Sequence, residues 1–172
     1  MTVASPSAWA NGDRQWGGYV EAGQTLHGGD NTNVAAAGAL VPWSPMARLR
    51  EGPLSFNWDL FVSQWRAPAM EGHRSFSQLG AIATLRYRFS DGASRWFAEA
   101  GIGATMMDRV YRTTTREFST TFQFTEVLGM GYSFGARQEH ELSLRLQHFS
   151  NAGIKKPNPG ENFVRLRYAY RF

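Results

Sequence analysis

Apolar and polar residues alternate one for one along most of this chain. From Leu54 to Val62 the even positions are Leu54, Phe56, Trp58, Leu60 and Val62, with Ser55, Asn57, Asp59 and Phe61 between them. Period two is the mark of a strand with two unlike faces, because successive side chains point to opposite sides of a sheet. A helix would need apolar residues three and four apart, and that spacing is missing here. The pattern recurs in Leu79 to Phe89, Ala98 to Met106, Phe122 to Phe134, Leu142 to Leu146 and Val164 to Phe172. Two weaker segments, Trp16–Thr25 and Asn33–Val41, bring the count to about eight, each near the ~10 residues with which a tilted strand crosses a bilayer.

Turn signals separate these segments. Asp91-Gly92 and Gly135-Ala136 read as short turns, while 26–32, 66–74, 107–120 and 151–161 read as longer loops. With the segment 42–53 on the side of the short turns, the long loops all fall on the other side, as in outer-membrane barrels. The expected fold is all-β, an eight-stranded antiparallel up-and-down transmembrane β-barrel. Residues 1–172 read as one barrel domain, without an internal repeat or linker.

Alternation alone leaves open which face is inside. The polar face holds Asp59, Arg86, Arg88, Glu99, Arg145, Arg165 and Arg167. These charges could fill a narrow membrane-barrel lumen or coat a soluble barrel in water. The C-terminus favours the membrane. Val164, Leu166, Tyr168, Tyr170 and a terminal Phe172 alternate with Arg165, Arg167, Ala169 and Arg171, and this ending resembles the assembly signal of bacterial outer-membrane proteins. Trp16, Trp43, Trp65, Tyr87, Trp96 and Tyr132 stand near strand ends, where aromatic girdles are expected. The opening MTVASPSAWANGDRQW lacks the charged and apolar regions of a signal peptide, as expected of a mature form behind an initiator Met or of a protein that never had one.

Composition excludes some chemistries and leaves others open. With no Cys, there is no disulfide scaffold, thiolate metal site or Cys nucleophile. A net charge of +4 permits an anionic partner. No aromatic–basic interleaving points to nucleic acid. A mean hydropathy of −0.39 does not argue against a membrane, since alternation averages the two faces. Gly101-Ile-Gly103 and Gly129-Met-Gly131 lack the third glycine and the helix of a dinucleotide site, so they read as strand glycines near the lumen. His27, His73 and His140 have no metal-ligand spacing, and no metal is expected.

His148 and Ser150 continue the apolar face of Leu142, Leu144 and Leu146. Polar groups aimed at hydrocarbon are costly without a partner or a role. The alternative is that the strand has left the membrane by His148. The stretch Gln147-His148-Phe149-Ser150-Asn151-Ala152-Gly153, followed by Pro157-Asn158-Pro159-Gly160-Glu161-Asn162-Phe163, closely resembles the active-site region of the lipid A 3-O-deacylases, the PagL family of Gram-negative outer-membrane enzymes. A weaker likeness extends over the strand plan, including Glu99-Ala100-Gly101-Ile102-Gly103.

The resemblance implies an esterase that hydrolyses the 3-hydroxyacyl ester at position 3 of lipid A in the outer leaflet. Its substrate would be lipopolysaccharide, its surroundings outer-membrane lipid, and its chemistry would need no cofactor. It assigns Ser150 as nucleophile, His148 as general base, a Glu as the orienting acid, and Asn151 with the Gly153 N–H as the oxyanion hole. Glu161 is the expected acid. In the family pattern, however, the Glu lies one residue later, a slot held here by Asn162. Parity with Val164 to Phe172 also puts Glu161 on the lumen side unless a bulge intervenes. The alternative acid is Glu126, which a hairpin turn centred on Arg137 would set directly across from His148. Lys155, Lys156, Arg109 and Arg112 are loop cations that could meet lipopolysaccharide phosphates. A homodimer through lipid-facing aromatics is conceivable. The competing readings are a non-catalytic outer-membrane barrel, adhesin or structural, and a soluble ligand-binding barrel.

Overall fold

In the computed structural model the described residues are 12–26, 31–44 and 52–172. They form eight strands: β1 (Gly17–Thr25), β2 (Asn33–Trp43), β3 (Leu54–Pro68), β4 (His73–Arg88), β5 (Trp96–Met107), β6 (Phe122–Phe134), β7 (His140–Ser150) and β8 (Glu161–Arg171). Each pairs with its sequence neighbours, and β1 closes on β8 from Gly17 opposite Arg171 to Thr25 opposite Phe163. Closure leaves no sheet edge unpaired. His27, the first 11 residues and 45–51 of the expected segment 42–53 lie outside the described residues.

The expected loop over 66–74 is shorter than the turn residues suggested. β3 and β4 pair out to Pro68 opposite His73, leaving only 69–72 between them. Charged and polar residues such as Arg66, Arg74 and Ser75 pair as readily through their backbones as apolar ones, so side-chain polarity mislocated the boundary. One rim of the barrel, the loop end, carries 69–72, 108–121 and 151–160, with the end of β1 and the start of β2. The opposite rim carries 89–95, 135–139, the start of β1 and the end of β8.

The faces are sorted as a membrane barrel requires. Val62, Ile102 and Leu128 are 63%, 71% and 64% exposed, whereas Asp59 and Arg145 are at 0%. An apolar outer wall around a charged lumen excludes the soluble barrel. Within the lumen the charges neutralise one another. Glu21 meets Arg145, Arg165 and Arg167 at 3.3, 2.8 and 2.9 Å. Asp59 meets Arg145 and Arg167 at 3.0 and 2.8 Å and accepts from the Tyr19 hydroxyl at 2.5 Å. Glu99 and Glu141 hold Arg86 at 3.2 and 2.6 Å. Strand glycines make room for this filling. A Cβ at Gly131 would lie 2.3 Å from the Phe97 ring, a ring that stacks under the Arg86 guanidinium at 3.7 Å.

The lumen changes character toward the loop end. There Val34, Trp65, Ala67, Phe76, Met107, Tyr111, Phe118, Phe149 and Phe163 form one buried apolar cluster. Trp65, expected in a girdle, is its centre: its ring lies 4.5 Å from Phe163, 4.9 Å from Phe149 and 5.2 Å from Tyr111. As an odd position of β3 it faces in. Trp16, Trp43, Tyr87, Trp96 and Tyr132 are exposed, and all lie around the rim opposite the loops. They form one aromatic belt at that rim.

Candidate active site

β6, β7 and β8 run side by side to the loop end, and their register decides which side chains meet. Glu126 lies opposite His148 across the β6–β7 ladder, the position a turn centred on Arg137 predicts. On the other side His148 lies opposite Asn162, and Phe149 opposite Glu161. Pairing is continuous through these positions, with no bulge to shift the parity. Glu126, His148 and Asn162 therefore form a row on the outward face, and Ser150 follows His148 on that same face. Phe149 and Phe163, the odd-numbered neighbours, point inward into the cluster around Trp65. The site thus stands on strands anchored from behind by packed aromatic rings.

His148 is held by an amide. Its Nδ1 lies 2.7 Å from Asn162 Oδ1. Because Oδ1 can only accept, Nδ1 carries the hydrogen and the Nε2 lone pair is left free. Gly160 borders the far edge of the ring. Its φ is +66°, and a Cβ there would lie 2.7 Å from His148 Cε1, so the position suits only glycine. Arg116 Nη1 donates to the Gly160 carbonyl at 2.8 Å, tying the long β5–β6 loop to this turn.

The structure does not bring Glu161 to the imidazole. Its carboxylate is buried on the lumen side, where the Tyr111 hydroxyl donates to Oε2 at 3.2 Å. Tyr111 also bonds to Thr32 Oγ1 at 2.6 Å. Burial, with the Glu161 carboxylate beside it, pushes the Tyr111 phenol far above its ordinary range, so it stays protonated as a donor. Strand parity is the physical reason: one residue along β8 reverses the face.

Asn151 and Gly153 come together, but with each other. Asn151 Oδ1 accepts from the Gly153 N–H at 3.0 Å, while Nδ2 donates to the Lys155 carbonyl at 2.8 Å and to Ser119 Oγ at 3.0 Å. The backbone N–H of Asn151 donates to Asn158 Oδ1 at 3.0 Å. These bonds curl 151–158 into a compact turn, with Ala152 at φ 51°. The amide that reaches Ser150 is that of Ala152, whose N–H points to Oγ at 3.4 Å. Among the described residues no hydrogen bond joins Ser150 to His148. Side chains two apart on a strand face the same way without touching, and such contacts commonly tighten only when substrate is bound. Gly160, Arg116 and Ser119 were not visible as site residues in the sequence. Only the Pro-Asn-Pro-Gly run signalled a tight turn. Among the described residues no group of His, Asp and Glu could hold a metal ion.

The family model described as lipid A 3-O-deacylase (PagL) matches residues 34–171. The chain is 35% identical over 130 residues to the lipid A deacylase PagL of Bordetella bronchiseptica, covering 76% of this chain and 70% of that protein. It is 30% identical over 117 residues to the lipid A deacylase PagL of Pseudomonas aeruginosa, covering 68% of this chain and 65% of that one. The crystal structure of the outer membrane enzyme PagL superposes with a TM-score of 0.70 over 90% of this chain and 99% of that chain, at 23% identity. That last likeness is one of fold.

Proposed function

This chain belongs to the lipid A 3-O-deacylase (PagL) family, and from that membership we propose how its outward polar cluster cleaves an ester. The protein is an outer-membrane hydrolase acting on the 3-O-linked acyl ester of lipid A. The observation that carries the mechanism is the His148–Asn162 contact, set on the lipid-facing wall beside Ser150.

Ser150 is the nucleophile. His148 Nε2 takes the Ser150 proton as Oγ adds to the ester carbonyl, and the carbonyl oxygen becomes an oxyanion. Returning that proton to the departing sugar O3 breaks the C–O bond and leaves an acyl-serine. Water, deprotonated by the same imidazole, then releases the 3-hydroxy fatty acid and restores Ser150. Asn162 orients the ring in the role that a Glu would fill, and Glu126 stands across the β6–β7 ladder from His148 on the same outward face. Glu161 instead holds the interior through Tyr111. The Ala152 N–H is the oxyanion donor next to Oγ, in a turn whose shape Asn151 and Gly153 set. A non-catalytic barrel would leave this cluster, costly on a lipid-facing wall, without a purpose.

Mass spectrometry of lipid A from cells expressing the protein tests the reading. Wild type removes one 3-hydroxyacyl group, and Ser150→Ala removes none while remaining in the outer membrane. Unchanged lipid A in both would overturn it.

A further inference from the structure

At the loop end lies a cleft of about 470 Å³ lined by Arg74, Arg109, Arg112, Lys155 and Lys156, with Glu117 the one carboxylate among its described lining residues. Arg74 comes from the start of β4, the other two arginines from the β5–β6 loop, and the lysines from the β7–β8 loop. Three segments far apart in sequence thus turn their cations to one place. Glu117 is engaged by Arg112, and Asp108 by Arg109 at 3.0 Å. Among the described residues Arg74, Lys155 and Lys156 have no carboxylate within ion-pair distance. Like charges gathered around one cleft repel, and an anion placed among them relieves that repulsion.

Hydrogen bonds tie the walls of the cleft to the turn that follows the proposed nucleophile. Ser119 Oγ donates to the Lys155 carbonyl at 2.8 Å, and Asn151, the residue after Ser150, donates to both Ser119 and Lys155. A glycolipid whose ester reaches Ser150 from the outer leaflet carries its sugar headgroup at this height. Arginine forks match the oxygens of a phosphate, and lysines add point charge.

We propose that this cleft binds a phosphate monoester on the headgroup of the glycolipid substrate and so sets the register of the acyl ester against Ser150. The proposal rests on the deacylase reading for the identity of its ligand.

The test uses the purified full chain in detergent micelles, with bisphosphorylated and dephosphorylated lipid A as probes and the variant Arg74→Ala/Lys156→Ala. Circular dichroism confirms that the variant is folded. The double substitution raises KM for the phosphorylated substrate about tenfold and leaves kcat within about twofold, the effect of losing charge-assisted contacts made in ground and transition states alike. On the dephosphorylated substrate wild type and variant have the same KM. An equal loss on both substrates overturns the proposal. Titration of each lipid into Ser150→Ala separates the two readings. Phosphate-dependent binding without any hydrolysis by wild type upholds the cleft and sinks the deacylase mechanism, whereas binding indifferent to phosphate sinks the cleft even where hydrolysis is intact. Competition by phosphatidylglycerol as strong as that by phosphorylated lipid A overturns recognition of this headgroup.

Discussion

An amide oxygen at 2.7 Å from Nδ1 selects the tautomer of His148 as a carboxylate would, but it adds no negative charge to steady the imidazolium. In the proposed mechanism this makes Asn162 an orienting group with a weak electrostatic hand, and it gives a sharp test. Asn162→Ala removes orientation but leaves the base, and kcat is expected to fall about 100-fold, the lower end of general-base contributions. Asn162→Asp is isosteric and adds the charge. The added charge steadies the imidazolium formed as Ser150 loses its proton, and kcat is expected to increase. A merely structural role for Asn162 would leave kcat unchanged in the Asp variant. That Glu161 turns inward was legible only as a warning from parity; the hydrogen bond from Tyr111 helps to hold it there.

At the scale of elements, the β7–β8 hairpin works as a two-sided device. Its even positions carry His148, Ser150 and Asn162 outward, and its odd positions drive Phe149 and Phe163 against Trp65. Arg165 lies over both rings, 5.2 and 5.0 Å from their centroids, joining the aromatic cluster to the charged lumen below. Trp65→Ala opens a cavity behind the site and is expected to lower stability by about 3–5 kcal/mol. Thermal unfolding in detergent measures this, and kcat falls alongside, whereas Trp65→Phe recovers much of both. Equal activity in the Ala variant would mean that the backing does not position the site. The strand pattern was readable because period two survives in every element. The packed interior at the loop end was not, because a Trp near a strand end suits a girdle equally well until the facing rings are known.

At the scale of the whole molecule, the lumen is a closed charge network, and its lower end is capped from outside the strands. Asp13, in the short turn Gly12–Arg14, reaches Arg86 at 2.8 Å and Arg88 at 2.6 Å. Burial by itself would raise its carboxyl, but these two guanidiniums outweigh it and hold the carboxyl far below its ordinary value of 3.8. A lowered folded value means that the contribution to stability is fully present above about pH 4 and is lost as pH falls toward the folded value. Asp13→Asn leaves two buried guanidiniums short of a partner, and a cost of about 3 kcal/mol is expected at pH 7. The gap in melting temperature between wild type and variant narrows at pH 3. A gap equal at both values would refute the role assigned to this cap.

The sequence by itself determined the strands, their number, the two faces and the place of His148 and Ser150 on the apolar one. Each follows from alternation, which is local and survives any choice of neighbours. Tertiary structure decided what depends on distance between strands. It turned Trp65 and Glu161 inward, set Asn162 against the imidazole, committed Asn151 and Gly153 to the turn beside Ser150, and gathered cations from three segments around one cleft at the loop end. Those outcomes rest on register and closure, since a side chain's partner across a ladder is fixed by where eight strands meet and not by the residues on either side of it.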